Sequence, residues 1–164
     1  MTHKRIRVCF VCLGNICRSP TAEGVMRKLV EDTGHDDWIE IESAGTEAYH
    51  EGELPDDRSR RAARRRGIQL DSLARPFAAS DFERLDYVLA MDRENLDRLE
   101  EMRPARGFDG HLGLLLAFDS LAPPLAEVPD PYYGGPRGFD HVLDLCQAAC
   151  GGLLDRILGE HTGR

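Results

Sequence analysis

The sequence predicts an α/β fold: a four-stranded parallel sheet with helices on both faces. Three observations carry that prediction. Short strand-forming runs recur at 6–12, 38–41, 87–91 and 112–118. Segments with apolar residues at helical spacing lie between them, and parallel neighbours need such crossovers. The first run, Ile-Arg-Val-Cys-Phe-Val-Cys, is short and β-rich enough for a strand covered on both faces.

Each element has its own justification. Residues 13–18 form a short connection after the first strand. Ser19-Pro20 opens a helix, with Ser suited to the cap, Pro to the first turn and Glu23 to the positive end. Ala22, Val25, Met26, Leu29 and Val30 make one apolar stripe, and Gly34 suits the stop. The second strand covers Trp38 to Ile41 and runs out in Ser43-Ala44-Gly45. Residues 46–56 read as loop, and a helix at about 57–66 ends near Gly67. Ser80-Asp81-Phe82-Glu83 has the Ser-x-x-Glu capping pattern of a short helix. Tyr87 to Met91 is the third strand, and Asp92 caps a helix carrying Leu96 and Leu99. Leu112 to Phe118, the longest apolar run, is expected to be the fourth strand. Residues 119–138, rich in Pro and Gly, form a long loop of the kind that is often functional. The last helix buries Phe139, Val142, Leu143, Cys146, Ala149, Cys150, Leu153 and Ile157. With no repeat or linker in view, residues 1–164 read as a single domain.

Composition excludes several function classes. Hydrophobic residues are 41% and charged residues 30% of the 164, as in ordinary globular proteins. No apolar run approaches the roughly 18 residues of a spanning helix, so membrane insertion is not expected. The opening MTHKRIRVCF lacks an export signal, which makes a cytoplasmic location the expectation. Twenty-one basic against 29 acidic residues leave a net charge of −8, which opposes nucleic-acid binding. Arg58, Arg60, Arg61, Arg64, Arg65 and Arg66 crowd one stretch, read as a solvated helix face. The five cysteines are odd in number and lack zinc-site spacing, and the six histidines are scattered. Neither a disulfide framework nor a metal cofactor is expected. Cys9, Cys146 and Cys150 read as core, and His50 and His111 as structural.

The chemistry concentrates at Cys12-Leu13-Gly14-Asn15-Ile16-Cys17-Arg18-Ser19-Pro20. By the sheet rule, ligands bind beyond the carboxyl ends of the strands, which is where this connection lies. Gly14 and Asn15 tolerate positive φ, so the backbone can curl into a nest of inward N–H groups at a helix N-terminus. Arg18 adds a full charge and a planar fork for two oxygens. The arrangement fits a dianion such as phosphate. The same field favours a thiolate at Cys12, to which Ser19 can donate. A thiolate below a phosphate cradle is placed to attack phosphorus and form a phosphocysteine. The leaving oxygen then needs a proton, and Asp130-Pro131-Tyr132-Tyr133 in the long loop supplies the candidate acid. The two tyrosines can wall a slot and keep water from Asp130.

These residues resemble the low-molecular-weight protein tyrosine phosphatases. The likeness rests on Cys-x5-Arg-Ser-Pro near the start and Asp-Pro-Tyr-Tyr-Gly near the end. Ser43-Ala44-Gly45-Thr46, Gly67-Ile68, Asp81-Phe82, Asp86-Tyr87 and Met91-Asp92 agree with it. The resemblance implies Cys12 as nucleophile, Arg18 as phosphate clamp and Asp130 as general acid, with Leu13, Gly14, Asn15, Ile16 and Cys17 around the phosphate. It also implies that Asn15 shapes the loop through Ser19 and Ser43, that Tyr49, Tyr132 and Tyr133 wall the substrate slot, and that no metal takes part. Tyrosine-phosphorylated proteins are the implied partners, with inorganic phosphate or a similar oxyanion as product or inhibitor. Cys17 either lines the loop or forms a reversible disulfide with Cys12, the role the family favours. Ser72 stands where many members carry a histidine in the Asn15–Ser43 network, so a rearranged or water-filled network is expected. Arsenate reductases of this fold need mid-chain cysteines, and this chain has none between Cys17 and Cys146. Arginine phosphatases tend to have Thr at the position of Ile16. A silent phosphate-binding module would not need nucleophile, clamp and acid together.

Overall fold

The structure is a computed structural model that describes residues 4–132, 134–135 and 137–161. Strands β1 (Ile6–Cys12), β2 (Ile39–Gly45), β3 (Tyr87–Ala90) and β4 (His111–Leu114) form one sheet in the order β2-β1-β3-β4. Every neighbouring pair is parallel, as the alternation of elements required. The helices are α1 (Arg18–Asp32), α2 (Asp57–Arg64), α3 (Arg93–Met102) and α4 (Arg137–His161).

The two-sided burial of β1 follows from the pleat, which sends alternate side chains to opposite faces. Ile6, Val8, Phe10 and Cys12 join Met26 and Val30 of α1 and Leu143 and Leu153 of α4 in one apolar cluster. Cys9 and Val11, with Val88 and Ala90 of β3, pack the other face against Leu99 of α3 and Phe82. Phe82 stands edge-on to Phe77 and Phe108, with centroids 5.1 and 4.9 Å away. Each such fully buried side chain contributes about 1.5–3 kcal/mol. No helix among the described residues is long and apolar enough to cross a membrane.

Four local expectations are corrected. Helix α1 starts at Arg18, and its cap position is Cys17 with no side-chain cap. Ser19 therefore lies inside the first turn, because its hydroxyl is engaged by the preceding loop. Strand β2 starts at Ile39, one residue after Trp38, and continues into the expected Ser43-Ala44-Gly45, which lie opposite Phe10, Val11 and Cys12. In the 3-10 turn Ala79–Glu83, Asp81 rather than Glu83 takes the capping bond, accepting the Ala78 N–H at 2.8 Å. Finally, β4 ends at Leu114, and Leu115–Phe118 is a 3-10 turn. An apolar run alone does not separate a strand from a buried turn. The turn brings Leu115 and Leu116 under α4, where a Cβ on Gly152 would lie 1.9 Å from the Phe118 carbonyl oxygen.

The arginine-rich stretch is a paired face. Arg61 meets Asp57 at 3.1 Å, Arg65 and Arg66 meet Asp140 at 3.8 and 3.7 Å, and Arg66 also meets Asp144 at 2.8 Å. Arg58 meets Asp56 at 3.0 Å.

Candidate active site

The connection between β1 and α1 crosses the carboxyl edge of the sheet, and the segment after β2 wraps around it. Thr46 N–H donates to the Cys12 carbonyl at 2.8 Å, Glu47 N–H to Leu13 at 3.0 Å, and Asp56 N–H to Ile16 at 2.7 Å. These bonds occupy carbonyls on the outside of the loop. The backbone N–H groups of Leu13, Gly14, Asn15, Ile16 and Cys17 have no hydrogen-bond partner among the described residues. A run of uncommitted amides at the start of a helix is what an anion cradle needs. The wrap is close: a Cβ on Gly45 would lie 2.7 Å from the Leu13 oxygen.

Asn15 has φ +59, the left-handed conformation expected of it, whereas Gly14 is not among the positive-φ residues. Gly14 serves by its size instead, since a Cβ there would meet His50 Cδ2 at 3.0 Å. The Asn15 side chain is buried and fully used. Its Nδ2 donates to Ser19 Oγ at 2.7 Å and Ser43 Oγ at 2.9 Å, and its Oδ1 accepts the Arg75 N–H at 3.1 Å. Ser19 Oγ lies 3.0 Å from Cys12 Sγ, and Ser19 N–H points to the same sulfur at 3.5 Å. Having accepted from Asn15, the hydroxyl has its own proton to give, with the sulfur at 3.0 Å and the Ala44 carbonyl at 3.4 Å as acceptors.

Behind this network lies a residue the sequence presented only as a helix-start acid. Glu23 is 3% exposed. Its Oε1 accepts from Ser43 Oγ at 2.5 Å and from Ser72 Oγ at 2.9 Å, while its Oε2 accepts from Arg27 at 2.6 Å. Ser72 thus joins the Asn15–Ser43 network through Glu23, with two serine hydroxyls on one buried carboxylate. Its members come from distant parts of the chain, and no local pattern announces them.

Arg18 is buried, its side chain 5% exposed, and it is held from outside the loop. One nitrogen donates to Asp92 Oδ2 at 2.6 Å and to the Val128 carbonyl at 3.2 Å, and the other lies 3.8 Å from Asp130. Burial works against the charge, but Cys12, Asp92 and Asp130 outweigh it and raise the guanidinium above its ordinary value. Asp92 was expected only as a cap. It does cap α3, accepting the Asn95 N–H at 2.7 Å, and its second oxygen holds Arg18. The available signal was an Asp two residues beyond β3, the strand beside β1, at the same sheet edge.

Cys12, Leu13, Arg18, Tyr49, Asp130 and Tyr132 line one cavity of about 330 Å³, together with His50. His50, read as structural, is therefore at the site, paired with Glu53 at 3.0 Å. Asp130 is less enclosed than expected. Its side chain is 38% exposed, and Tyr49 and Tyr132 are themselves 68% and 38% exposed, so these two rings do not dry it. Tyr133 lies outside the described residues. Cys17 is buried, and burial, then Asp56, push its thiol up to about 12. Cys146 lies at about 12 through burial, and Cys9 and Cys150 are raised for the same reason, as core positions imply. Among the described residues no group of three or more His, Cys, Asp or Glu is placed to hold a metal ion.

The family model for low molecular weight phosphotyrosine protein phosphatases matches residues 7–162. A low molecular weight protein-tyrosine-phosphatase of Streptomyces coelicolor is 45% identical, over 96% of this chain and 97% of that protein. The crystal structure of a protein tyrosine phosphatase from Entamoeba histolytica, with Hepes in its active site, superposes with a TM-score of 0.89. It is 40% identical and covers 94% of this chain and 98% of that one. YfkJ from Bacillus subtilis gives the same TM-score at 38% identity, over 99% of this chain and 100% of that one.

Proposed function

The chain belongs to the low molecular weight phosphotyrosine protein phosphatases, a family of phosphoric monoester hydrolases, and on that premise we propose that it hydrolyses phosphotyrosine through a phosphocysteine. One observation carries the proposal. The Cys12 thiol, the Arg18 guanidinium and the Asp130 carboxyl share a single cavity, beside a loop of uncommitted amides.

In this reading the phosphoryl oxygens sit on the amides of residues 13–17 and on Arg18, which Asp92 and Val128 hold in place. The Cys12 thiolate attacks phosphorus as the bond from phosphorus to the aryl oxygen breaks. Protonated Asp130 gives its proton to the departing phenolate. Ser19 Oγ, 3.0 Å from Sγ, steadies the thiolate before attack and again as it returns. Water then attacks the phosphocysteine and yields a proton to the Asp130 carboxylate. The S–P bond breaks, and inorganic phosphate leaves. Ile16, Tyr49 and Tyr132 around the cavity supply apolar and aromatic contacts for a phenyl ring, which supports an aryl phosphoester and tyrosine-phosphorylated proteins as the substrate class. Residues 1–164 act as one phosphatase domain, and no cofactor is invoked.

The test is leaving-group dependence. Cys12→Ser abolishes turnover of p-nitrophenyl phosphate. Asp130→Asn lowers kcat on phenyl phosphate by about 10²–10⁴-fold and much less on leaving groups that need no proton. Equal losses across leaving groups overturn the acid role, and normal kcat in Cys12→Ser overturns the nucleophile.

A further inference from the structure

The loop that carries Asp130 returns to the sheet through a strained stretch. Leu125 holds φ +61, a left-handed conformation that a leucine adopts only at a cost. It is 64% exposed, so its own packing does not fix it. The hydrogen bonds around it are local: Ala122 N–H donates to the Asp119 carbonyl at 3.1 Å, and Ala126 N–H to the Pro123 carbonyl at 3.2 Å. At Glu127 the bonding leaves the loop. Its Oε2 accepts the Arg93 N–H at 2.8 Å and lies 3.3 Å from the Arg93 Nε. These two bonds, the amide first, hold the Glu127 carboxyl below its ordinary range.

Arg93 is the first residue of α3, so its amide is one of the donors that a helix leaves unsatisfied at its start. Asp92 serves another, the Asn95 N–H, with one oxygen and grips Arg18 with the other. Two carboxylates thus share the positive end of α3, one from the clamp and one from the acid loop. Val128, next to Glu127, closes the connection. Its N–H donates to the Met91 carbonyl at 2.8 Å, and its own carbonyl accepts from Arg18 at 3.2 Å. Asp130 follows two residues later, 3.8 Å from the same guanidinium.

We propose that Glu127 is a positioning residue for the phosphate clamp: docked on the amide end of α3, it seats the Val128 carbonyl on Arg18 and keeps the guanidinium aimed at the phosphoryl group. The role rests on the phosphatase reading above and adds to it a residue that acts only through its neighbours. The sign of the effect separates it from charge alone. Glu127 and Arg18 line the same depression, so removing the negative charge by itself would tighten an incoming phosphate. Removing the anchor loosens Val128 and weakens the phosphate instead.

The experiment titrates inorganic phosphate into the full chain by calorimetry and measures kcat/KM on p-nitrophenyl phosphate, whose leaving group asks little of Asp130. Glu127→Ala weakens phosphate about fivefold and lowers kcat/KM by a similar factor, the size expected for one net hydrogen bond. Glu127→Gln keeps an oxygen for the Arg93 N–H and loses the charge, so it binds phosphate at least as tightly as the unsubstituted protein. A Glu127→Ala protein that melts earlier yet binds phosphate normally has lost only a helix cap, which overturns the proposal. Tighter phosphate in Glu127→Ala, the mark of charge alone, overturns it too, as does a Glu127→Gln protein as impaired as Glu127→Ala. If the unsubstituted protein gives no turnover, the phosphatase reading falls, and the phosphate titration still decides the part played by Glu127.

Discussion

Cys17 sits next to Arg18 yet carries a thiol held at about 12, because burial and the Asp56 carboxylate both oppose its ionisation. That value sets how the reversible disulfide with Cys12 would behave. Peroxide converts Cys12 to a sulfenic acid; the Cys17 sulfur then attacks, the S–O bond breaks and water leaves. Since the thiolate does the attacking, closure accelerates about tenfold per pH unit between pH 7 and 9, far below the Cys17 value. Cys17→Ser removes the partner and lowers the activity recovered by dithiothreitol after a peroxide pulse. Recovery equal to the unsubstituted protein rules the disulfide out. The neighbouring residues also show what a sequence makes legible. Cys12, Asn15, Arg18 and Ser19 lie within one short stretch, so their chemistry could be read from spacing. Glu23 could not be read that way. Its role comes from Ser43, Ser72 and Arg27 meeting it in three dimensions.

At the scale of elements, the link between α2 and the acid loop was hidden inside an arginine run that reads as a solvated face. Arg58 is fixed by Asp56, with its Nε on Oδ1 at 3.1 Å and an Nη on Oδ2 at 3.0 Å. From there it donates to the Tyr132 carbonyl at 3.3 Å, and its guanidinium stands 5.2 Å from the Tyr132 ring and 4.7 Å from the Phe139 ring. Asp130 Oδ1 accepts the Tyr132 N–H at 3.0 Å, so the acid and the latched residue form one turn. Arg58→Ala frees that turn. We expect kcat on phenyl phosphate to fall about fivefold, which matches the ~1 kcal/mol of a cation–π contact. The loss should be smaller on leaving groups that need no proton, and an unchanged kcat on phenyl phosphate would remove the latch. Periodicity revealed where the helices lie and which stripe of α1 is buried. It failed at ends governed by tertiary partners. Ser-Pro usually marks a cap, but Asn15 and Cys12 engage the Ser19 hydroxyl. Leu112 to Phe118 reads as one strand because nothing local announces that Leu115 and Leu116 tuck beneath α4.

For the whole molecule, the buried thiols and the paired carboxylates together shape stability against pH. On the acid side, Glu42 and Asp81 lie below their ordinary values: burial opposes this, but Arg84 and Arg75 outweigh it at Glu42, and the Ala78 N–H with Arg75 and Arg84 outweighs it at Asp81. His111 is also lowered, by burial and then by Arg156. For all three the unfolded chain binds protons before the folded one. Their stabilisation is present above the unfolded values, 6.5 for His and 3.8–4.5 for the acids, and is lost as pH falls toward the depressed ones. On the alkaline side the sign reverses. Cys9, Cys17, Cys146 and Cys150 are raised above 9.0 chiefly by burial, and Tyr87 is raised above 10.0 by burial and Glu160. These groups ionise first in the unfolded chain, so their contribution is present below pH 9 and disappears as pH climbs through the folded values. Each adds about 1.4 kcal/mol per pH unit to that slope. With four thiols acting together against a typical stability of about 5–15 kcal/mol, the alkaline limb is the steeper one. Thermal unfolding in reductant should therefore give a plateau between about pH 6.5 and 9, a gentle decline on the acid side and a sharp loss of Tm by about pH 10. Cys150→Ala, which removes one such thiol, should flatten the alkaline limb even where the lost packing lowers the plateau. A Tm that holds level from pH 9 to 10.5 would mean that these cysteines ionise as readily folded as unfolded, which their burial forbids.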